Sequence, residues 1–230
     1  MPRVGIITSD FKFYHDVINE LKSWKIPFVS LDLKDGIPDD VVVILSSIRD
    51  DIDLPGQVKA QDGIDGIRRA IPRLLNKTMF KDLIIGIDPG PKPGIAVFGD
   101  DVLLEAFECP TVFSVRNFVD SISMSYSYEN IMIKIGNGDK PNREIIMSRL
   151  SDVDIAIEIV NEKNTSTPHK IHDNALSAAR IAQINGLYPT KKIPIKFSRK
   201  NVYEKEFTTL RNVIENKNVL DRHENSNTQT

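Results

Sequence analysis

The amino-acid sequence predicts an α/β protein made of two domains. In the first 80 residues, strand, helix, strand and strand follow one another, and the strands are largely apolar, which is typical of a small parallel sheet buried on both faces. Residues 88–94 then form a Pro- and Gly-rich turn between two further apolar runs, which predicts a β-hairpin. Beyond residue 110, stretches with helical periodicity alternate with single apolar strands.

The N-terminal domain, residues 1–80, is predicted to be a small Rossmann-like α/β unit. Ser9 or Asp10 is placed to cap a helix whose apolar residues recur at helical spacing. We find no glycine-rich phosphate loop in it and no other motif that names a function. The predicted elements are strands at 4–8, 27–31 and 41–45, helices at 11–24 and 62–77 with an interruption near Pro72, and a loop at 46–56.

The second domain, residues 81–190, is predicted to contain a mixed five-stranded sheet with helices. Tight turns join its first three strands, which makes them antiparallel. Residues 191–230 form a basic C-terminal extension, with a helix over 201–214 and a polar tail from residue 223 that we expect to be disordered. The predicted strands are 83–87, 95–98, 102–107, 131–135 and 154–160, and the predicted helices are 110–124, 141–150 and 174–185.

The composition is that of an ordinary globular protein, with 40% hydrophobic and 27% charged residues in a chain of 230. The single cysteine, Cys109, cannot form an internal disulfide, which fits a reducing compartment. The N-terminus lacks the apolar core of a signal peptide, and no run reaches the roughly 18 apolar residues of a membrane span. We therefore expect a cytoplasmic protein without a membrane partner.

Charge is distributed unevenly along a chain whose net charge is −2. Residues 32–62 contain eight aspartates against only Lys34, Arg49 and Lys59, whereas residues 191–200 contain five basic residues and no acid. This asymmetry permits a basic groove on an acidic molecule, although a solvated charged surface is the default interpretation of each run.

Four short stretches lie at predicted strand or helix ends, namely LIIGIDPGPKPGIAVF, IKIGNGDKPNREI, IEIVNEKNTST and HDNALSAARIA. They resemble motifs of the RuvC- and YqgF-type Holliday-junction resolvases. LIIGIDPGPKPGIAVF is similar to the first hairpin of the RuvC group, and IKIGNGDKPNREI to the fourth-strand exit of the YqgF group. IEIVNEKNTST and HDNALSAARIA are similar to the fifth-strand motif and to the start of the last helix. The resemblance covers about residues 82–188 and implies a ribonuclease H-like fold for the second domain.

The resemblance implies a catalytic and metal-binding set of Asp88, Glu162 and Asp173. Each follows a strand or begins a helix, so the three can converge at one edge of the sheet. Converging carboxylates repel one another unless a cation neutralises them, and oxygen ligands select Mg²⁺ or Mn²⁺. Two such ions would hold a phosphodiester and activate water. The simpler alternatives are that Asp88 caps a hairpin turn and that Asp173 caps its helix.

The sequence departs from the RuvC pattern, because residues 131–135 carry no acid, and in this it follows the YqgF group. Asp139 is a substitute ligand or a polar turn residue, and Glu158 supports the site or is an exposed strand residue. An ordinary basic surface remains the alternative to nucleic-acid contacts. The candidate nucleic-acid-binding residues are Lys92, Lys134, Lys140, Arg143 and Lys163.

We therefore expect a metal-dependent endonuclease that hydrolyses phosphodiesters in branched or structured nucleic acid, with branched DNA as its partner. It would work as a homodimer if it cuts two strands symmetrically. An alternative is a catalytically inactive module on the same fold that binds nucleic acid or protein. A nucleotide-binding relative of the sugar kinases and chaperone ATPases ranks below both, because it needs a second, duplicated domain for which the chain is too short.

Overall fold

The computed structural model describes residues 2–161, 173–184 and 202–216 and shows an α/β protein with one parallel and one mixed sheet. Unit 1 contains the chain up to Met79 together with Met124–Ser127 and the segment from Arg211, and unit 2 contains Phe80–Ser123 and Tyr128–Leu210. In the described ranges, no helix has both the length and the apolar character needed to span a bilayer. The basic run at 191–200 and the tail from 223 lie outside the described residues.

Unit 1 is built on four parallel strands in the order β2-β1-β3-β4, so the predicted small parallel unit is confirmed. The sequence analysis missed β4, because its four residues, QVKA, are few and only half apolar. The elements are β1 (Arg3–Ile6), α1 (Phe11–Ser23), β2 (Phe28–Ser30), β3 (Val41–Ser47), β4 (Gln57–Ala60) and α2 (Gly63–Leu74).

Both helices of unit 1 begin at an aspartate. The Asp10 carboxylate accepts from the backbone N–H groups of Lys12 and Phe13, and Asp62 accepts from that of Asp65, so each satisfies amides that a helix leaves unpaired. Pro72 lies in the last turn of α2, and the helix continues past it to Leu74, so the predicted interruption is wrong. The face that α1 buries consists of Phe13, Val17 and Leu21.

Unit 2 contains a six-stranded mixed sheet in the order β10-β7-β6-β5-β8-β9. Strands β5, β6 and β7 are antiparallel neighbours, whereas β8 is parallel to β5 and β9 is parallel to β8. The elements are β5 (Phe80–Asp88), β6 (Gly94–Gly99), β7 (Val102–Glu108), α3 (Val115–Ser125), β8 (Tyr128–Gly136), α4 (Lys140–Arg149), β9 (Ala156–Val160), α5 (Asn174–Ala182), α6 (Val202–Glu206) and β10 (Thr208–Thr209).

The single helix predicted over residues 201–214 is wrong. The chain instead forms the short helix α6 and then β10, whose Thr208 pairs with Val102 of β7 and adds a sixth strand. A helical segment begins again at Leu210. Phe207, one of the apolar residues that suggested a single helix, lies between α6 and β10 and packs edge-on against Phe98, with ring centroids 5.6 Å apart.

Helix α5 lies directly against the β5–β6 hairpin. A Cβ atom on Gly94 would lie 1.8 Å from the carbonyl oxygen of Asn174, and one on Gly86 would lie 2.2 Å from that of Ala178. The helix offers small side chains in return, since Ala175, Ala178, Ala179 and Ala182 are all buried. Close approach therefore depends on small residues on both surfaces.

We predict that Gly94→Ala will lower the free energy of unfolding by about 3 kcal/mol, because the new methyl group overlaps backbone atoms of α5 that cannot rotate away. The matched control is Gly90→Ala in the same turn, where the new Cβ would meet only the Lys92 carbonyl oxygen at 3.9 Å. Urea unfolding followed by circular dichroism measures both. Equal stability of the two variants would contradict the close approach.

Candidate functional site

The carboxyl ends of β5 and β7 meet at one edge of the unit 2 sheet. Asp88 ends β5 and pairs with Gly94, and Gly94 pairs in turn with Glu108, which ends β7. Residues directly opposite one another on neighbouring strands project to the same face. Asp88 and Glu108 therefore flank a position that has no side chain.

Helix α5 begins on that same face. The carbonyl oxygen of Asn174 occupies the space beside Gly94, and the Asn174 Nδ2 donates a hydrogen bond of 2.7 Å to the Lys92 carbonyl. Asp173 precedes the helix and is its N-cap. The fold thus brings three acidic residues, Asp88, Glu108 and Asp173, to one edge of the sheet.

The Asp173 carboxylate is held by two hydrogen bonds. Its Oδ1 accepts from the backbone N–H of Leu176 at 3.0 Å and from the Tyr203 hydroxyl at 3.0 Å. Burial, and then the carboxylates of Asp173 and Glu108, raise the pKa of the Tyr203 phenol, so this hydroxyl remains a proton donor. Asp173 therefore anchors both its own helix and α6.

Further contacts fix α6 beside Asp173. The Arg180 guanidinium donates to both carboxylate oxygens of Glu206, at 2.6 and 2.9 Å, a bidentate geometry that favours a defined orientation. The sequence analysis did not predict Tyr203 or Glu108. Counting strand register outward from Asp88 would have found Glu108, whereas no local pattern marks Tyr203, which is 30 positions from Asp173.

Of the predicted catalytic set, Asp88 and Asp173 lie at the same edge, and Glu162 lies outside the described residues. Within the described ranges, no three His, Cys, Asp or Glu side chains are arranged to hold a metal ion. The predicted Mg²⁺ or Mn²⁺ site therefore stays a prediction. Asp139 is the N-cap of α4, and its carboxylate accepts from the backbone N–H and the side-chain amide of Asn142. These contacts agree with the alternative of a polar turn residue.

Lys134 does not face solvent and cannot serve as the predicted nucleic-acid contact. The side chain is buried, and its Nζ donates to the Ile184 carbonyl at 2.7 Å. Burial lowers the pKa of this ammonium group, against an opposing effect of Glu158, which pairs with Lys134 across β8 and β9. Lys134 is opposite Gly86 of β5 and so projects to the face on which α5 packs.

The other candidate nucleic-acid contacts differ in their surroundings. Lys92 is exposed in the β5–β6 turn, and Lys140 is exposed and lies 3.7 Å from Glu144. Arg143 donates through Nη1 to the Asn137 carbonyl at 2.9 Å, which places it against the turn after β8. Lys163 lies outside the described residues. Nucleic-acid binding by this set stays a prediction.

Unit 1 has a second cluster of polar side chains, at the carboxyl edge of its sheet between β1 and β3. Asp50 is buried there; its Oδ1 accepts from the backbone N–H and hydroxyl of Ser9, and its Oδ2 from the backbone N–H of Ser47, each at 2.8 Å. Burial alone would raise the pKa of Asp50, but hydrogen bonds from Thr8, Ser9 and Ser47 outweigh it and lower the pKa.

Asp10 completes this cluster from the neighbouring loop. Its Oδ2 accepts from the Ser47 hydroxyl at 3.0 Å and from the Arg49 guanidinium at 3.3 Å. The order of the strands reverses between β1 and β3, and the crevice at such a point is where open parallel sheets bind ligands. In unit 1 the protein's own hydrogen-bonded side chains lie there.

Residues 3–74 match the family of response regulator receiver-like domains. This match covers less than half of the chain and lies within unit 1. No curated protein and no solved structure matches the chain.

This finding overturns the identification of the chain with RuvC- and YqgF-type resolvases, together with the resolvase and nuclease description that followed from it. The family that matches is receiver-like, and it covers the segment in which the sequence analysis found no functional signal. The misleading motifs were short turns with Gly, Asp and Asn after strands. Such turns recur in α/β sheets of many functions, because these residues favour tight turns and helix caps.

We predict that Asp50→Asn will lower the free energy of unfolding at pH 7 by about 2 kcal/mol. Both carboxylate oxygens of Asp50 accept hydrogen bonds, and the NH₂ group of Asn would face one of these donors without being able to accept from it. Since the folded-state pKa of Asp50 is lowered, its stabilising effect is present above its unfolded value of about 3.9 and is lost as the pH falls below that value.

The measurement is urea unfolding at several pH values between neutral and acidic, with the exposed neighbour Asp51→Asn as control. The wild type and the control should lose more stability on acidification than Asp50→Asn. Parallel pH profiles for all three proteins would show that Asp50 is not the titrating group.

We also predict that Asp173→Ala will destabilise unit 2 by about 1–2 kcal/mol, whereas Asp173→Asn will cost less than about 0.5 kcal/mol, because Asn also caps helices and can accept from Tyr203. Thermal unfolding compares the two variants. A large effect of the Asn substitution would mean that the negative charge of Asp173, rather than its hydrogen-bond acceptor, is what the fold requires.

Proposed function

We propose that the protein is a non-catalytic binding protein, in which unit 1 recognises a protein partner and unit 2 is a stable scaffold. The observation that carries this proposal is the cluster around Asp50. The crevice where an open parallel sheet would take a small ligand holds the protein's own hydrogen-bonded side chains, so recognition falls to the outer surface of that edge. The receiver-like match over residues 3–74 supports a role in regulation for the same unit.

For unit 2 we propose a ribonuclease H-like topology, as a fold only. Three antiparallel strands followed by two parallel ones, in the order β7-β6-β5-β8-β9, support it. A helix lying on the central hairpin agrees with the same topology. Fold does not imply function, so this topology by itself carries no activity.

The contacts of Asp173 support a structural role for the acidic edge. The Oδ1 atom of Asp173 already accepts two hydrogen bonds from the protein, one from the first turn of α5 and one from the Tyr203 hydroxyl. Fewer of its lone pairs therefore remain for a ligand. Lys134 is buried and does not supply the positive charge that was predicted for this edge, whereas Glu108 adds a carboxylate to it. Carboxylates repel phosphate groups, which favours a protein partner over nucleic acid.

We predict that the protein will not cleave labelled four-way-junction, duplex or single-stranded DNA in the presence of Mg²⁺ or Mn²⁺, and that Asp88→Asn will behave like the wild type. Gel electrophoresis of the labelled substrates measures cleavage. Metal-dependent cutting that disappears in Asp88→Asn would overturn the proposal.

Fluorescence anisotropy with the same DNA tests binding. We compare Lys92→Ala with Lys81→Ala, which removes an exposed lysine at the opposite end of β5. Binding should be weak, steeply reduced by salt and equal in the two variants. Selective loss in Lys92→Ala would instead identify a nucleic-acid site at the carboxyl edge.

A further inference from the structure

Large apolar side chains are exposed at the carboxyl edge of the unit 1 sheet, among them Leu33 after β2 and one residue on each of the two loops that the Asp50 cluster joins. The Phe11 side chain is 87% exposed at the first position of α1, and Ile48 is 55% exposed directly after β3. We call Phe11 and Ile48 the apolar pair. An exposed phenylalanine side chain contributes little to the stability of the fold, which makes it a candidate anchor for a partner.

The polar cluster links the two chain segments that carry the apolar pair. Phe11 follows Asp10, Ile48 follows Ser47, and the Ser47 hydroxyl donates to Asp10 at 3.0 Å. The buried Asp50 carboxylate joins Ser9, on the loop after β1, to Ser47 at the end of β3. The apolar pair is therefore presented on a preorganised surface, which reduces the entropy lost on binding.

The surroundings of the apolar pair are acidic. Asp51 and Asp62 are exposed on the loops after β3 and β4, and Asp32 is exposed after β2 at the same edge of the parallel sheet. Arg49 and Lys12 also lie at this edge, but Arg49 is paired with Asp10. Not all the aspartates of the 32–62 run contribute, since Asp40 is bonded to Arg3 at the amino end of β1. The three exposed aspartates after the strand ends leave this edge more acidic than basic.

We propose that the apolar pair docks an amphipathic segment of a partner protein whose apolar residues are flanked by Lys or Arg. This inference rests on the proposed function and adds the chemistry of the partner. Acidic surfaces meeting face to face would repel one another, which argues against a second copy of this chain as the occupant. A basic segment with one or two apolar side chains matches both the anchors and the charges around them.

The test uses a fluorescein-labelled synthetic helical peptide with leucine on one face and lysine on the other, and a matched peptide with glutamate in place of lysine. Anisotropy measures their binding to the full chain. The lysine peptide should bind, with affinity that falls as salt rises, and the glutamate peptide should bind at least about tenfold more weakly. Phe11→Ser and Ile48→Ser should each weaken the lysine peptide about tenfold.

Val42→Thr is the matched control, because Val42 is an exposed apolar residue near the opposite end of β3 and should leave binding unchanged. The double variant Asp51→Asn, Asp62→Asn should flatten the salt dependence while leaving the fold intact, because Asn can still cap α2. Circular dichroism of every variant checks that it is folded.

Equal binding of the two peptides, or binding that Phe11→Ser leaves unchanged, would overturn the inference. Concentration-dependent dimers in analytical ultracentrifugation that Phe11→Ser abolishes would overturn it in favour of a second copy. Neither result bears on DNA cleavage. The cleavage assay can contradict the proposed function while the peptide result stands, so the two failures are distinguishable.

Discussion

The absence of side chains at Gly86 and Gly94 is the constraint on which unit 2 depends. It lets α5 approach until helix backbone occupies the space that a Cβ would fill, and it requires an alanine-rich helix face in return. That approach places Asp173 beside the ends of β5 and β7, where Asp88 and Glu108 already lie. The acidic edge is thus a consequence of helix–sheet packing, before any ligand is considered.

Unit 1 also has acidic side chains at the carboxyl edge of its sheet, but hydrogen bonds rather than close helix packing position them. Here a buried carboxylate, Asp50, links two loops through hydrogen bonds that outweigh the cost of removing its charge from water. In both units, acids at the carboxyl edge of a sheet accept hydrogen bonds from the surrounding chain. An acidic cluster at a strand end is therefore as consistent with a structural role as with catalysis, and the hydrogen-bond partners of each carboxylate decide between them.

Sequence patterns predicted most of the fold, because its strands are continuous apolar runs and its helices begin at aspartates such as Asp10, Asp62 and Asp173. The patterns failed where tertiary contacts decide the outcome. The strand β10 exists because it pairs with β7, and Lys134 is buried because its ammonium group reaches the Ile184 carbonyl. The placement of Asp88 and Asp173 at one edge was predictable from the sequence. The hydrogen bond from the Tyr203 hydroxyl to Asp173 was not, because residues 30 positions apart share no local sequence pattern.

The two acidic edges differ in one respect that bears on function. In unit 2, Asp173 accepts from a buried phenol and from the first turn of α5, so its carboxylate oxygen contributes to holding the chain. In unit 1, the buried Asp50 does that work, while Asp51 is exposed at the same edge of the sheet as the exposed Phe11. An exposed carboxylate and an exposed apolar side chain therefore occur at the same edge of unit 1. Because both features are costly or neutral for the isolated chain, their coincidence is most simply explained by a partner that uses both.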